Sequence, residues 1–162
     1  MVEITNREVK TKKKSKNKQL NANAICAFRF LKDTKTYLDR IQTLEKCGEY
    51  CYAILNIWNR IEATLKLLRY FDDIKEYPQK LNSQWAFLKD IKTNNEDALK
   101  VIFSSDKQCL WKIRNGIVHQ NKTLTKNKYE HYYSPADIIL KELTKILPSQ
   151  KDFQEKLNRT RK

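Results

Sequence analysis

The stretch EYCYAILNIWNRIEATLKLLRYFD, from Glu49 to Asp72, decides the fold. Cys51, Ile54, Ile57, Trp58, Ile61, Leu65 and Leu68 recur along it at threes and fours, which lays them on one face of an α-helix. No Gly or Pro interrupts it. A stripe that long has to be covered by other elements, and the sequence on both sides offers them. Upstream, Ile25, Phe28, Leu31, Leu38, Ile41 and Leu44 keep a helical spacing from Asn21 to Lys46, and Gly48 marks a turn or a C-cap. Downstream, residues 73–82 break the pattern at Pro78. A short helix over Ser83–Lys92 then carries Trp85, Phe87, Leu88 and Ile91.

Thr93-Asn94-Asn95 reads as a loop and N-cap for Glu96–Phe103. Ser104-Ser105-Asp106 resembles a helix start, which predicts a helix over Asp106–Ile117. Gln120–His131 is polar and without period, so it reads as a loop. Ser134-Pro135 fits an N-cap followed by proline at the first helical position. The helix behind it holds Ile138, Ile139, Leu143, Ile146 and Leu147 and stops at Pro148. A last basic helical stretch covers Lys151–Asn158.

With only 2 Gly and 3 Pro in 162 residues, the turns that many short strands require are missing. The expectation is an all-α, single-domain helical bundle of about five or six helices. Residues 1–18 read as a basic mobile N-terminal arm, residues 19–148 as the bundle, and residues 149–162 as a basic C-terminal extension.

The formal net charge is +14. The arm holds seven basic side chains against two acidic ones, and the extension five against two, so the body between them is basic as well. A charge of that size points to a polyanionic partner such as RNA, DNA or an acidic membrane face. No apolar run approaches the ~20 residues of a membrane span, and the N-terminus lacks the apolar core of a secretory signal. The reading is a cytoplasmic protein with no membrane partner. The four cysteines, Cys26, Cys47, Cys51 and Cys109, are expected to be free, buried thiols. Cys47 and Cys51 are four apart, but without a nearby histidine they read as core thiols and not as a metal pair.

Leu110-Trp111-Lys112-Ile113-Arg114-Asn115-Gly116-Ile117-Val118-His119 carries the chemistry. On a helix at about 100° per residue, Arg114 falls inside the arc of Leu110, Ile113 and Ile117. Asn115 and His119 share the adjoining polar edge. A guanidinium in an apolar arc needs an acidic partner or an anionic ligand. Gly116 in mid-helix costs about 1 kcal/mol relative to Ala, so it reads as a place where another surface approaches closely. Arg, Asn and His together in a basic protein suit phosphodiester chemistry. Imidazole moves protons near neutral pH, and guanidinium stabilises the charge of a phosphorane-like transition state. An RNA 2′-hydroxyl is an internal nucleophile, so neither metal nor cofactor is required.

At these residues the chain resembles the HEPN family. Arg114-Asn115-Gly116-Ile117-Val118-His119 matches the family's R-x4-H motif, with the polar residue those domains favour directly after the arginine. A long helix with Asn59-Arg60-Ile61-Glu62 precedes it, and the resemblance extends over roughly Asn21 to Pro148. It implies a helical bundle with the motif on a late helix. It also implies a metal-independent endoribonuclease of a toxin–antitoxin, anti-phage or CRISPR-linked kind. Arg114, His119 and Asn115 would be its catalytic residues, two motifs would face each other in a homodimer, and an antitoxin or regulatory protein would be a partner. One position departs. Toxins of this family paired with nucleotidyltransferase antitoxins usually carry tyrosine two residues after the motif histidine; Asn121 stands here.

Glu62 flanks the Trp58 stripe. It is placed either to pair with Arg114 or orient His119, or to pair with Lys66 one turn on. Trp58, Trp85 and Trp111 sit among apolar neighbours and read as core. Lys112, Lys122, Lys126, Lys128 and Tyr129 are the candidate RNA-binding residues. The interleaving of Tyr129, Tyr132 and Tyr133 with lysines suits single-stranded RNA, and a loop folded back over the core is the other reading. His131 is expected to be exposed in that loop. Two further readings of the whole chain stay open: a non-catalytic HEPN-like module that binds RNA or protein, and a purely structural helical subunit.

Overall fold

The computed structural model describes residues 22–71, 95–104 and 108–161. Among them are seven helices: α1 (residues 22–32), α2 (Thr34–Lys46), α3 (Tyr50–Phe71), α4 (Glu96–Ile102), α5 (Leu110–Gln120), α6 (Lys126–Lys145) and α7 (Gln150–Arg161). No strand occurs among the described residues. The all-α bundle stands, with more helices than the five or six expected. The arm at 1–18, the break at 73–82 and the short helix at 83–92 with Trp85 lie outside the described residues.

α3 is the spine. Ile54, Ile57, Trp58, Ile61, Leu65 and Leu68 are all buried, as the spacing predicts. They pack against Tyr37 and Ile41 of α2, Leu99 and Ile102 of α4, Leu110 of α5, and Tyr129, Tyr132, Ala136, Ile139, Leu140 and Leu143 of α6. Trp58 is 1% exposed, its ring 5.2 Å from Phe103 and 5.3 Å from Trp111. A second cluster forms at the far end of α3, where Leu67 and Tyr70 meet Ala24 of α1 and Phe153 and Leu157 of α7. Phe28 stacks on Phe153 at 4.3 Å. The basic C-terminal extension is therefore a packed helix over Gln150–Arg161, longer than the Lys151–Asn158 stretch expected. Ser149 and Asp152 close its first turn reciprocally. The Asp152 amide donates to Ser149 Oγ at 3.2 Å, and the Ser149 amide donates to Asp152 Oδ2 at 3.1 Å.

Three boundaries differ from the sequence reading, each for a physical reason. The helix expected over Asn21–Lys46 is two helices, broken at Asp33, whose side chain accepts from the Thr36 amide at 3.2 Å and caps α2. Arg60 holds the break from α3. The residue is 5% exposed, and its guanidinium donates to the carbonyls of Phe30 and Leu31, both at 3.4 Å, and to that of Asp33. It also lies 4.0 Å from the centroid of Tyr37. An arginine thus ends α1 by taking up carbonyls that have no helical donor.

The loop expected over Gln120–His131 is short, because α6 begins at Lys126, with Thr125 as N-cap. Pro135 lies inside α6 and not at its start. Tyr129, Tyr132 and Ala136 extend the buried face one turn after another, and that burial outweighs the hydrogen bond the proline removes. The motif helix starts at Leu110 and not at Asp106, since Gln108 and Cys109 are non-helical. Gly48 does end a helix, with φ at 74° and its amide on the Glu45 carbonyl at 3.1 Å.

Two sets of core assignments also change. Leu38, Ile138 and Ile146 are 46%, 38% and 50% exposed, on the outer faces of their segments. Of the four cysteines, all free, only Cys109 is buried; Cys26 and Cys47 are exposed and Cys51 is half-buried.

Candidate functional site

α5 lies against α3 and α4, with Leu110 and Gly116 as its buried residues. Arg114 projects from the middle of the helix and is half-buried. Its Nη1 donates to Asn115 Oδ1 at 2.9 Å. Its Nε is enclosed and has no hydrogen-bond partner. Among the described residues no carboxylate pairs with it. The guanidinium is therefore held by a neutral amide and by packing, with donor capacity left over. His119 is exposed in the last turn of the same helix, about 140° round from Arg114. The bond to Asn115 draws the guanidinium from the apolar arc toward the polar edge that Asn115 shares with His119.

The end of α5 is shaped by Asn121, which takes left-handed backbone at φ 50°. The amides of Asn121 and Lys122 both turn back to the Gly116 carbonyl, the second at 3.2 Å. Asparagine tolerates that conformation better than most residues, which gives Asn121 a structural reason to be there.

Other expected site residues fall elsewhere. Glu62 does not meet Arg114: its carboxylate pairs with Lys66 at 3.1 Å. It borders a groove of about 370 Å³ lined from α1 by Cys26 and Phe30 and from α3 by Asn59 and Lys66. The local i,i+4 pair decided its place. Tyr129 is not an RNA platform: it is 3% exposed in the core and donates its hydroxyl to Glu45 at 2.7 Å. Burial, then that hydrogen bond, push its ionisation well above the ordinary tyrosine range. Tyr132 is also buried, with its hydroxyl on the Gln108 carbonyl at 2.6 Å, and fixes the chain just before α5. Tyr133 is half-buried beside Tyr129 at 5.2 Å. His131 is exposed, as expected, but on α6, its ring 4.9 Å from that of Tyr132.

Of the lysines, Lys112 is half-buried on α5 and Lys122 is exposed just beyond it. Lys126 pairs with Glu130 at 3.8 Å, and Lys128 is exposed in the first turn of α6. Trp58 is a core residue, and Trp111, half-buried, packs against it at the α3–α5 contact.

No family model, curated protein or solved structure matches the chain. Among the described residues no group of three or more His, Cys, Asp or Glu side chains is placed to hold a metal ion. No helix among them is long and apolar enough to cross a membrane.

What sequence reasoning missed was Arg60. It lies on the flank of the α3 stripe, and the signal available was the same one that singled out Arg114: a guanidinium beside apolar residues. Here the acceptors are the carbonyls that end α1, so the burial is structural.

Proposed function

We propose that the chain is a HEPN-type, metal-independent endoribonuclease, acting as a cytoplasmic toxin or anti-phage defence effector. The observation that carries this reading is Arg114: a half-buried guanidinium with an enclosed, unused Nε and no acid beside it among the described residues, one helix turn from an exposed histidine. The chain leaves this guanidinium incompletely satisfied, and the Nη donors beyond the one on Asn115 are those a phosphate oxygen would take.

In the reaction, His119 removes the proton of an RNA 2′-hydroxyl. The 2′-oxygen attacks the adjacent phosphorus, the bond from phosphorus to the 5′-oxygen breaks, and the leaving oxygen takes a proton. The products are a 2′,3′-cyclic phosphate and a 5′-hydroxyl. Arg114 stabilises the extra charge on the phosphorane, and Asn115 holds Arg114 in position. Two proton transfers are served best by two imidazoles, so the reading includes a homodimer in which Arg114, Asn115 and His119 of both chains line one cleft. RNA is the substrate, and an antitoxin or regulatory protein would restrain the activity.

The test is cleavage of mixed RNA in excess EDTA by wild type and His119→Ala. His119 is exposed, so the alanine variant keeps the fold. Cleavage by wild type alone, with cyclic or 3′-phosphate ends, is the expected result. An absolute Mg²⁺ requirement with 5′-phosphate ends, or equal cleavage by His119→Ala, would refute the mechanism. RNA binding without cleavage by either protein would favour the non-catalytic module.

A further inference from the structure

The residues that follow α5 carry one lysine back across the helix they have just left. The Lys122 amide donates to the Gly116 carbonyl at 3.2 Å, and the Lys122 carbonyl accepts from the Cys51 thiol of α3 at 3.7 Å. With its backbone held at both ends, the side chain lies over Gly116. A Cβ at position 116 would stand 2.9 Å from Lys122 Cδ and 3.7 Å from both Cγ and Cε. The space above Gly116, expected to admit another surface, is filled from within the chain by this methylene stem. Gly116 and His119 are three residues apart on one helical face, so the stem crosses the motif helix one turn before His119. Among the described residues Lys122 has no ion pair, whereas Lys66, Lys100, Lys126 and Lys141 each have one.

We propose that Lys122, its stem seated on Gly116, holds an RNA backbone phosphate against the motif helix. The proposal rests on the ribonuclease reading above and gives one of its candidate RNA-binding lysines a fixed seat. An ammonium is a compact point charge suited to a non-bridging phosphate oxygen, and a stem pinned along a helix gives up little further freedom on binding. Arg114 from the middle of α5 and Lys122 from just beyond its end then supply two cations to the same substrate. The mid-helix glycine has a reason in this arrangement: any Cβ would push the lysine away.

The test compares Lys122→Met, Gly116→Ala and the double variant with wild type, using Lys145→Met as a control at an exposed lysine on α6. Methionine keeps the stem and removes the charge. Alanine favours the helix and displaces a flexible side chain, so the melting temperature of Gly116→Ala should not fall below that of wild type. Two readouts are taken: kcat/KM for RNA cleavage, and the salt dependence of binding to a fluorescein-labelled single-stranded RNA made uncleavable by 2′-O-methylation.

Each single variant should lose about tenfold in kcat/KM and reduce the log–log salt slope by about one. The double variant should be no worse than the poorer single, and Lys145→Met should keep wild-type kcat/KM. Wild-type kinetics and slope in Lys122→Met would overturn the proposal, as would losses that multiply in the double variant. If wild type binds RNA without cutting it, the ribonuclease reading fails, and the seat of Lys122 is judged by the salt slopes alone. Equal slope losses in Lys122→Met and Gly116→Ala would uphold it, and unchanged slopes would overturn it.

Discussion

Arg114→Met should make the protein more stable while abolishing cleavage. The enclosed Nε of Arg114 makes no hydrogen bond, and a buried donor left unmade costs about 1–3 kcal/mol. Partial desolvation of the charge adds to that cost. Against this stands the 2.9 Å bond to Asn115, a contribution of about 1 kcal/mol, with a half-buried amide that water can reach once the arginine is gone. Methionine follows the path of the arginine stem and keeps its apolar contacts. The balance favours the variant by about 1 kcal/mol, which corresponds to a rise in Tm of roughly 3 °C for a domain of this size. Urea unfolding followed by tryptophan fluorescence measures the free energy directly, and an unchanged m-value shows that the folded and unfolded states have kept their compactness. His119→Ala, at an exposed position, should change stability by less than about 0.5 kcal/mol. A loss of more than about 1 kcal/mol in Arg114→Met would show that the arginine is a satisfied structural residue, and the inference from its unused donor would fall.

Two further outcomes are expected. Arg60→Met should destabilise by about 3 kcal/mol, since it strips donors from three carbonyls and removes a buried cation from the Tyr37 ring, offset in part by the desolvation the charge no longer incurs. Amide exchange should rise most in residues 22–32, and an even rise across all helices would contradict the clamp. Burial raises the ionisation of Tyr37, Tyr129 and Tyr133 above the ordinary value of 10.0 for tyrosine. Their neutral form is thus favoured by folding: the stability they contribute is complete below pH 10 and is lost as pH rises above it. The share of tyrosinate absorbance from these three should therefore appear only with loss of helicity, and its appearance in a still-folded protein, read against variants with each of the three replaced by phenylalanine, would refute the burial argument.

α3 was legible because its apolar stripe is long and unbroken, so no tertiary detail was needed to see it. The start of α6 was not legible, because tyrosine satisfies two readings. Tyr129 and Tyr132 are core side chains whose hydroxyls find Glu45 and a backbone carbonyl, and those partners are distant in sequence. Pro135 follows Ser134 in a pattern that fits a helix start equally well, and only the buried turns before it decide otherwise. The break at Asp33 escaped detection since no Gly or Pro marks it; it depends on Arg60, which periodicity in α1 and α2 cannot reveal. At the site, the Arg114–Asn115 neighbourhood could be read from adjacency, while Glu62 could not be assigned because its choice between Lys66 and Arg114 turned on tertiary geometry. Gly116 was recognised as anomalous, yet its occupant lies six residues on, past a left-handed turn that the sequence only hints at through Asn121.

The stacking of Phe28 on Phe153, reinforced by Lys32 Nζ on Gln150 Oε1 at 2.7 Å across 118 residues of sequence, bears on the order of events during folding. The main cluster draws only on segments that emerge before α7, so α5 can be seated while α1 still has its aromatic face uncovered. That face is closed by a helix translated long after it, and contacts of such high sequence separation form late. During refolding, a chain whose main cluster has formed before α7 docks has the motif helix in place and a sticky flank at its beginning, the stage at which a chaperone has something to bind.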